Sequence, residues 1–269
     1  MSNKVRLDIA MVDLGLVESR NQAQRVIMAG QVTVNGVVII KASEQVAEDD
    51  AIILDSGPQF VSRGGEKLQG ALDAFNLHDF SGKICADVGA STGGFTDCLL
   101  QHGAKKVYAI DVGYGILHWK IRQDERVVCM ERTNARYIEK LEDMIDFICI
   151  DVSFISLDVI LPVIYHWLDP NRGEVIALVK PQFEAGKEIS AKGKGVIRDP
   201  SVHKDVLTNT LTMAINNGFR VKGLAQSPIL GPKGNKEFLL FASTANGEQP
   251  DVGRLIRQTL LNPVDKDLE

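Results

Sequence analysis

Four ionisable residues begin or end segments that have no structural need of a charge. Asp151 follows Ile148-Cys149-Ile150, Lys180 follows Ala177-Leu178-Val179, Lys67 opens a helical stretch, and Glu237 precedes Phe238-Leu239-Leu240. In an open α/β sheet, ligands bind outside the carboxyl ends of the strands, so Asp151 and Lys180 would face one crevice. Two cations and two acids there could orient a weak nucleophile and take its proton. Taken singly, each is as readily a strand-end charge reaching solvent.

A second constellation lies upstream. Ile84-Cys85-Ala86-Asp87-Val88-Gly89-Ala90-Ser91-Thr92-Gly93-Gly94-Phe95 reads as a strand, a tight turn of small residues and a helix start. Glycines let a ligand approach the backbone, and the helix start offers unpaired N–H groups. The next apolar run, Val107-Tyr108-Ala109-Ile110, ends in Asp111, roughly 20 residues beyond the loop, where a carboxylate accepts hydrogen bonds from a ribose. The dinucleotide pattern G-x-G-x-x-G is broken, because Ser91 stands where its second glycine would admit a pyrophosphate. That disfavours NAD. Asp87 ahead of the loop would repel phosphate and attract an ammonium or sulfonium. S-adenosyl-L-methionine fits both halves, with a generic nucleotide-binding turn as the alternative.

These residues need a sheet to hold them. Strands at 84–88, 107–111, 127–130, 147–151 and 175–180 alternate with helical stretches, the pattern of a parallel sheet covered on both faces. Segments 219–225 and 238–242 then follow with Ser227-Pro228 and Gly231-Pro232-Lys233-Gly234-Asn235 between them and no helix, so the last strand should run antiparallel. Methyltransferase sheets finish this way. Residues 187–198, with Lys187, Lys192, Lys194 and nearby glycines, read as a basic loop that could close over RNA or lie on the surface. The tail from Asn246 is polar, with one helical stretch at 252–261.

The N-terminal fifty residues form a separate unit. Leu7, Ile9-Ala10-Met11 and Leu14 recur at helical spacing until Gly15, and Ser19-Arg20-Asn21-Gln22 is a capping box. Ala23, Val26 and Ile27 give the second helix its apolar face, and Asn35-Gly36 marks a hairpin before a last strand at 51–54. Segment 19–36 resembles the S4 RNA-binding domain. That resemblance implies phosphate contacts by Lys4, Arg6, Arg20, Arg25 and Lys41, and Arg63 beyond the turn at Ser56-Gly57-Pro58 is a further candidate. Asp8, Asp13 and Glu18 are expected to weaken the patch.

Composition sets the limits. The chain has 269 residues, 45% hydrophobic and 24% charged, with net charge −5, so RNA binding must be local rather than driven by a global positive field. Cys85, Cys98, Cys129 and Cys149 form no C-x-x-C pair and are expected as buried, reduced thiols in a cytoplasmic protein. No run approaches the roughly 18 apolar residues that span a bilayer, and no metal site or membrane partner is expected. The expected fold is α/β: a Rossmann-like methyltransferase sheet, parallel with an antiparallel last strand, plus a small α+β S4-like domain. Expected boundaries are 1–57 for the S4-like domain, 58–63 for a linker, 64–245 for the methyltransferase domain and 246–269 for the tail.

In order and placement, Lys67, Asp151, Lys180 and Glu237 resemble the Lys-Asp-Lys-Glu tetrad of FtsJ-type ribose 2′-O-methyltransferases. Added to these are the S4-like unit and five motifs: Ser62-Arg63-Gly64-Gly65-Glu66-Lys67-Leu68, Asp111-Val112-Gly113-Tyr114-Gly115, Glu131-Arg132-Thr133-Asn134-Ala135-Arg136, Asp151-Val152-Ser153-Phe154-Ile155-Ser156-Leu157 and Lys180-Pro181-Gln182-Phe183-Glu184. With them the chain resembles the TlyA, or hemolysin A-like, family to about residue 243. The resemblance implies methyl transfer from S-adenosyl-L-methionine to a cytidine 2′-hydroxyl of ribosomal RNA, in subunits or 70S particles, by a monomer. It places Asp87, Gly89, Ala90, Ser91, Thr92, Gly93, Gly94, Phe95, Asp111, Val112, Asn134 and Asp151 around the cofactor. Lys180 would be base or orienting group, serving as base only when neutral, a state that Lys67 and exclusion of water by RNA would favour. Asp151 and Glu237 would orient the lysines and the hydroxyl. Some members carry an Arg-x-Trp-Val linker where this chain has Pro58-Gln59-Phe60-Val61, so an interdomain signal tied to that linker need not transfer. Members modify one ribosomal subunit or both, and the longer termini here lean toward both. Two rivals stand beside this reading: a non-catalytic RNA-binding assembly factor, and a membrane-active haemolysin.

Overall fold

The computed structural model describes residues 4–55 and 57–261; Ser56 of the expected turn and residues 262–269 of the tail lie outside the described residues. The chain forms two compact units, Met1–Gln59 and Phe60–Glu269.

In the first unit, β1 (Val5–Arg6) leads into α1 (Leu7–Asp13) and α2 (Arg20–Met28), followed by β2 (Val32–Val34), β3 (Val37–Val38), β4 (Gln45–Val46) and β5 (Ile52–Leu54). Leu7, Met11, Ala23, Ile27, Val32 and Val46 are its core, so the helical periodicity and the alternating strand residues meet on one apolar face. Ser19 Oγ accepts the Gln22 N–H at 3.3 Å, while Gln22 Oε1 accepts the Glu18 N–H at 3.1 Å. The capping box therefore closes on the residue before the cap. Asn35 and Gly36 both take positive φ, 52° and 78°, the geometry a two-residue hairpin requires. The strands form two sheets, because β1 pairs with β4 apart from the β3-β2-β5 sheet.

The second unit runs α3 (Gly64–Phe75), β6 (Ile84–Val88), α4 (Gly94–Gln101), β7 (Lys106–Ile110), α5 (Trp119–Arg122), β8 (Val127–Met130), β9 (Phe147–Ile150), α6 (Leu157–Tyr165), β10 (Glu174–Val179), α7 (Pro181–Glu184), α8 (Lys187–Lys192), α9 (Pro200–Asn216), β11 (Arg220–Gln226), β12 (Phe238–Ser243) and α10 (Val252–Leu261). Seven strands form one sheet in the order β11-β12-β10-β9-β6-β7-β8. The final strand in sequence is the antiparallel one, and it inserts between β10 and β11 instead of adding at the edge. Phe147–Ile150 is buried at every position, as a strand covered on both faces must be. One face packs Ile148, Ile150, Leu161, Leu207 and Phe219; the other packs Leu68, Leu72, Phe80, Leu99 and Phe147. Strand order reverses between β6 and β9, which opens the crevice at their carboxyl ends. No helix among the described residues is long and apolar enough to cross a membrane.

Two expectations change. Cys85, Cys98 and Cys149 are buried, but Cys129, on the edge strand β8, is exposed. Segment 187–198 is not a loop throughout, since it contains α8, and buried Asn235 tethers its far end by accepting the Ile197 N–H at 3.0 Å and donating to Gly195 O at 2.9 Å.

Candidate active site

The glycine turn closes the end of β6. Gly89 takes φ 88°, and a Cβ there would lie 2.5 Å from the Asp151 carbonyl oxygen. Only glycine lets β6 and β9 come this close, and that approach sets the Asp151 side chain beside the turn. Beyond the neighbouring strand, Asp111 accepts the Ser91 N–H at 2.8 Å and the Gly113 N–H at 2.7 Å, one on each carboxylate oxygen. The acid thus holds the turn and its own following loop, with lone pairs left for a ribose.

Three cavities adjoin. The first, about 430 Å³, is lined by Gly89, Ser91, Asp111, Val112, Asn134 and Asp151, with Ile116, Ala135 and Ile155 among its apolar walls. Polar acceptors at one end and apolar walls suited to a flat base match a nucleoside. Asn134 Oδ1 accepts the Arg136 N–H at 3.1 Å, so its amide nitrogen is turned away from that bond. The second cavity, about 240 Å³, is lined by Arg63, Lys67, Ala90, Thr92, Gly94, Phe95, Asp151 and Lys180. The third, about 710 Å³, is lined by Phe154, Lys180, Gln182, Phe183, Lys187, Lys233 and Glu237. Ser153 faces all three.

The four ionisable residues form two ion pairs. Lys67 Nζ donates to Glu237 Oε2 at 2.6 Å, both side chains being buried. Lys180 pairs with Asp151, and Lys180 Nζ also donates to Ser153 Oγ at 3.0 Å. Lys180 stands at the end of β10 and is the residue before α7, whose first position is Pro181, so strand and helix both fix its backbone. The other Glu237 oxygen accepts from Gln182 Nε2 at 3.2 Å, and a Cβ on Gly231 would lie 2.1 Å from it. Glu237 is therefore held on both oxygens.

Not every candidate faces a cavity. Asp87 is fully buried: its Oδ2 accepts the Thr96 N–H at 2.9 Å and the Thr96 hydroxyl at 2.7 Å, and Oδ1 has no partner. Burial pushes its carboxyl up to about 7, with nearby Asp151 adding to the shift against the Thr96 hydrogen bonds. Gly93, φ 94°, packs against Leu117 and Ile121. In the N-terminal unit, Lys4, Arg20, Arg25 and Lys41 are exposed. Arg6 and Arg20, however, both bond to the buried carboxylate of Asp8. That acid does not merely dilute the patch.

Charge alone does not single out Ser153, Phe154, Gln182 and Phe183, which line the third cavity. Phe154 is 91% exposed, holds φ 64° and packs against Phe183, with ring centroids 5.0 Å apart and planes tilted by 48°. A bulky residue at positive φ is strained, and an exposed aromatic so held is positioned rather than left over. The signal was adjacency: Ser153-Phe154 follow Asp151, and Gln182-Phe183 follow Lys180.

The sheet order, the crevice at its reversal and the glycine turn define a Rossmann-like methyltransferase fold, preceded by a small helix-and-hairpin unit. Residues 60–244 match the family described as FtsJ-like methyltransferase, and residues 5–52 match the S4 domain. The chain belongs to the FtsJ-like methyltransferase family and, within it, to the TlyA or hemolysin A-like group. It is 51% identical over 243 residues to "Putative rRNA methyltransferase YqxC" of Bacillus subtilis, covering 89% of this chain and 85% of that one. It is 41% identical over 248 residues to the 16S/23S rRNA (cytidine-2′-O)-methyltransferase TlyA of Mycobacterium tuberculosis, covering 91% of each. The solved "Putative hemolysin" of Streptococcus thermophilus superposes with TM-score 0.72 at 45% identity, covering 97% of this chain and 96% of that one.

Proposed function

We propose that this enzyme methylates the 2′-hydroxyl of cytidine in ribosomal RNA, using S-adenosyl-L-methionine. The observation that carries the reading is Lys180, paired with Asp151 and Ser153 on the wall between the glycine-turn cavities and the large third cavity. A relative sharing 41% identity over 91% of both chains is named for this reaction.

Bound S-adenosyl-L-methionine supplies an electrophilic methyl group on a sulfonium. Asp111 and Asn134 would hold the ribose and base of that cofactor, and the backbone at Gly89 to Ser91 would admit its length. The third cavity takes the target nucleotide, with its base against Phe154, an exposed π-face of the kind that stacks unpaired bases. A ribose hydroxyl is a poor nucleophile. Lys180 therefore orients the hydroxyl and serves as its proton acceptor, and Asp151 aims the Lys180 amine. Lys67 lines the second cavity with Lys180, held by Glu237. Much of the acceleration would come from holding the hydroxyl in a reactive position. The N-terminal unit grips folded RNA through Lys4, Arg6, Arg20, Arg25 and Lys41.

The test is incubation of purified protein and labelled cofactor with ribosomal subunits and 70S particles, followed by mass mapping of the product. The expected result is a methyl group on a cytidine ribose. Lys180→Met should bind cofactor yet transfer roughly 10²–10⁴-fold more slowly, the usual worth of a positioned proton acceptor. An undiminished rate would remove Lys180 from the chemistry.

A further inference from the structure

The first unit contains a buried acid that the methyl-transfer scheme does not use. Asp8, in the first turn of α1, is fully buried, yet it lies among the arginines expected to meet RNA. Its Oδ1 accepts from Arg6 Nε at 3.0 Å, and its Oδ2 accepts from Arg6 Nη2 at 2.9 Å, Arg20 Nη2 at 3.1 Å and Gln24 Nε2 at 2.9 Å. Both arginine side chains stay accessible, 38% and 53% exposed. A guanidinium has five N–H donors. Arg6 uses two on Asp8 and keeps three; Arg20 uses one and keeps four, with no further partner among the described residues.

We propose that Asp8 is a positioning residue that locks Arg6 and Arg20 into a two-guanidinium clamp for RNA phosphate. The proposal rests on the reading that this unit binds RNA. Two cations share one carboxylate, so the group remains cationic by one charge while its acid is shielded from any incoming phosphate. The fork of Arg6 is fixed by a bidentate bond to Asp8, and Arg20 is anchored to the same oxygen from a different helix. An exposed arginine ordinarily loses rotamer freedom on binding. Here much of that ordering is already done, and the unused donors are presented in a fixed geometry suited to bidentate phosphate contacts.

The proposal reverses a simple charge argument. Removing an acid from an RNA-binding face should strengthen binding if only the summed field matters. If Asp8 organises the clamp, its removal weakens binding.

The experiment measures affinity of the full chain for a structured ribosomal RNA transcript across a salt series. Asp8→Asn is expected to bind roughly tenfold more weakly, with the log affinity against log salt slope reduced by about one to two contacts. Equal or tighter binding by Asp8→Asn, with the unit folded by circular dichroism, overturns the proposal. Should Asp8→Asn unfold the unit, charge-conserving variants decide. Arg20→Lys loses the fork that Asp8 aims and should weaken binding several-fold more than Arg25→Lys, whose arginine does not bond Asp8. Equal effects of the two overturn the proposal. Wild-type protein with no salt-dependent affinity for the transcript would instead sink the RNA-binding reading itself.

Discussion

Lys67→Met strands a carboxylate. In the native protein Glu237 is 1% exposed, its Oε2 bonded to Lys67 at 2.6 Å and its Oε1 to Gln182. Removing one partner of a buried ion pair costs about 3–5 kcal/mol. The stranded acid has one escape, which is to take up a proton. For an ordinary glutamate at pH 7 that costs about 3.7 kcal/mol, roughly 2.7 pH units at 1.36 kcal/mol each. The loss at pH 7 is therefore bounded near 3–4 kcal/mol, about 6–16 °C in Tm for a unit of this size. At pH 5 the same escape costs only about 1 kcal/mol, and the loss should shrink to roughly 2–4 °C. The double variant Lys67→Met/Glu237→Gln carries no stranded charge and should lie within about 1–2 kcal/mol of the parent. Scanning calorimetry at the two pH values, following the transition of the second unit, measures all of this. A single variant that loses under about 1 kcal/mol at pH 7, or equally at pH 5 and pH 7, would refute the reasoning.

Gln182→Met keeps the side-chain length but removes the donor to Glu237 Oε1. Transfer should slow by about tenfold, the worth of a hydrogen bond to a charged group, with cofactor affinity unchanged by calorimetric titration. Asp111→Asn leaves one acceptor oxygen for the two N–H groups of Ser91 and Gly113. Cofactor affinity should fall roughly tenfold or more, and an unchanged Kd would detach Asp111 from the ribose. For Asp87 the folded carboxyl sits at about 7, above its ordinary range, so the native state holds a proton that the unfolded chain has released between pH 4 and pH 7. Stability contributed by that proton is present at low pH and lost as pH rises through 7. Asp87→Asn should accordingly raise Tm more at pH 8 than at pH 5; the reverse order would mean that Asp87 is charged in the folded protein.

Much of the architecture was legible because it is local. Parallel strands covered on both faces read as unbroken apolar runs, and Phe147–Ile150 and Glu174–Val179 stand where those runs predicted. Asn35-Gly36 gave the hairpin because few other pairs tolerate two positive φ values in succession. The expected basic loop contained a helix, since six residues of mixed polarity with glycine on both sides carry no periodic signal. The exposure of Cys129 is not legible, because an apolar run does not reveal that its strand lies at the sheet edge. The motif contains Phe154, but its exposure and its backbone strain are invisible in a string of letters.

The types and order of the chemistry-bearing residues, the glycine turn, the two-unit organisation and the alternation of strand and helix are written in the amino-acid sequence. Each depends on neighbours within a few positions or on a motif of fixed spacing. Which lysine pairs with which acid was decided only by tertiary structure, since Lys67 and Glu237 are 170 residues apart and meet because β12 inserts beside β10. The same holds for Asp8, an opposing charge on paper: Arg6 stands two residues away, but Arg20 reaches the same carboxylate only because α1 and α2 pack. The sign of a charge is local, but its effect depends on partners and burial, and those belong to the fold.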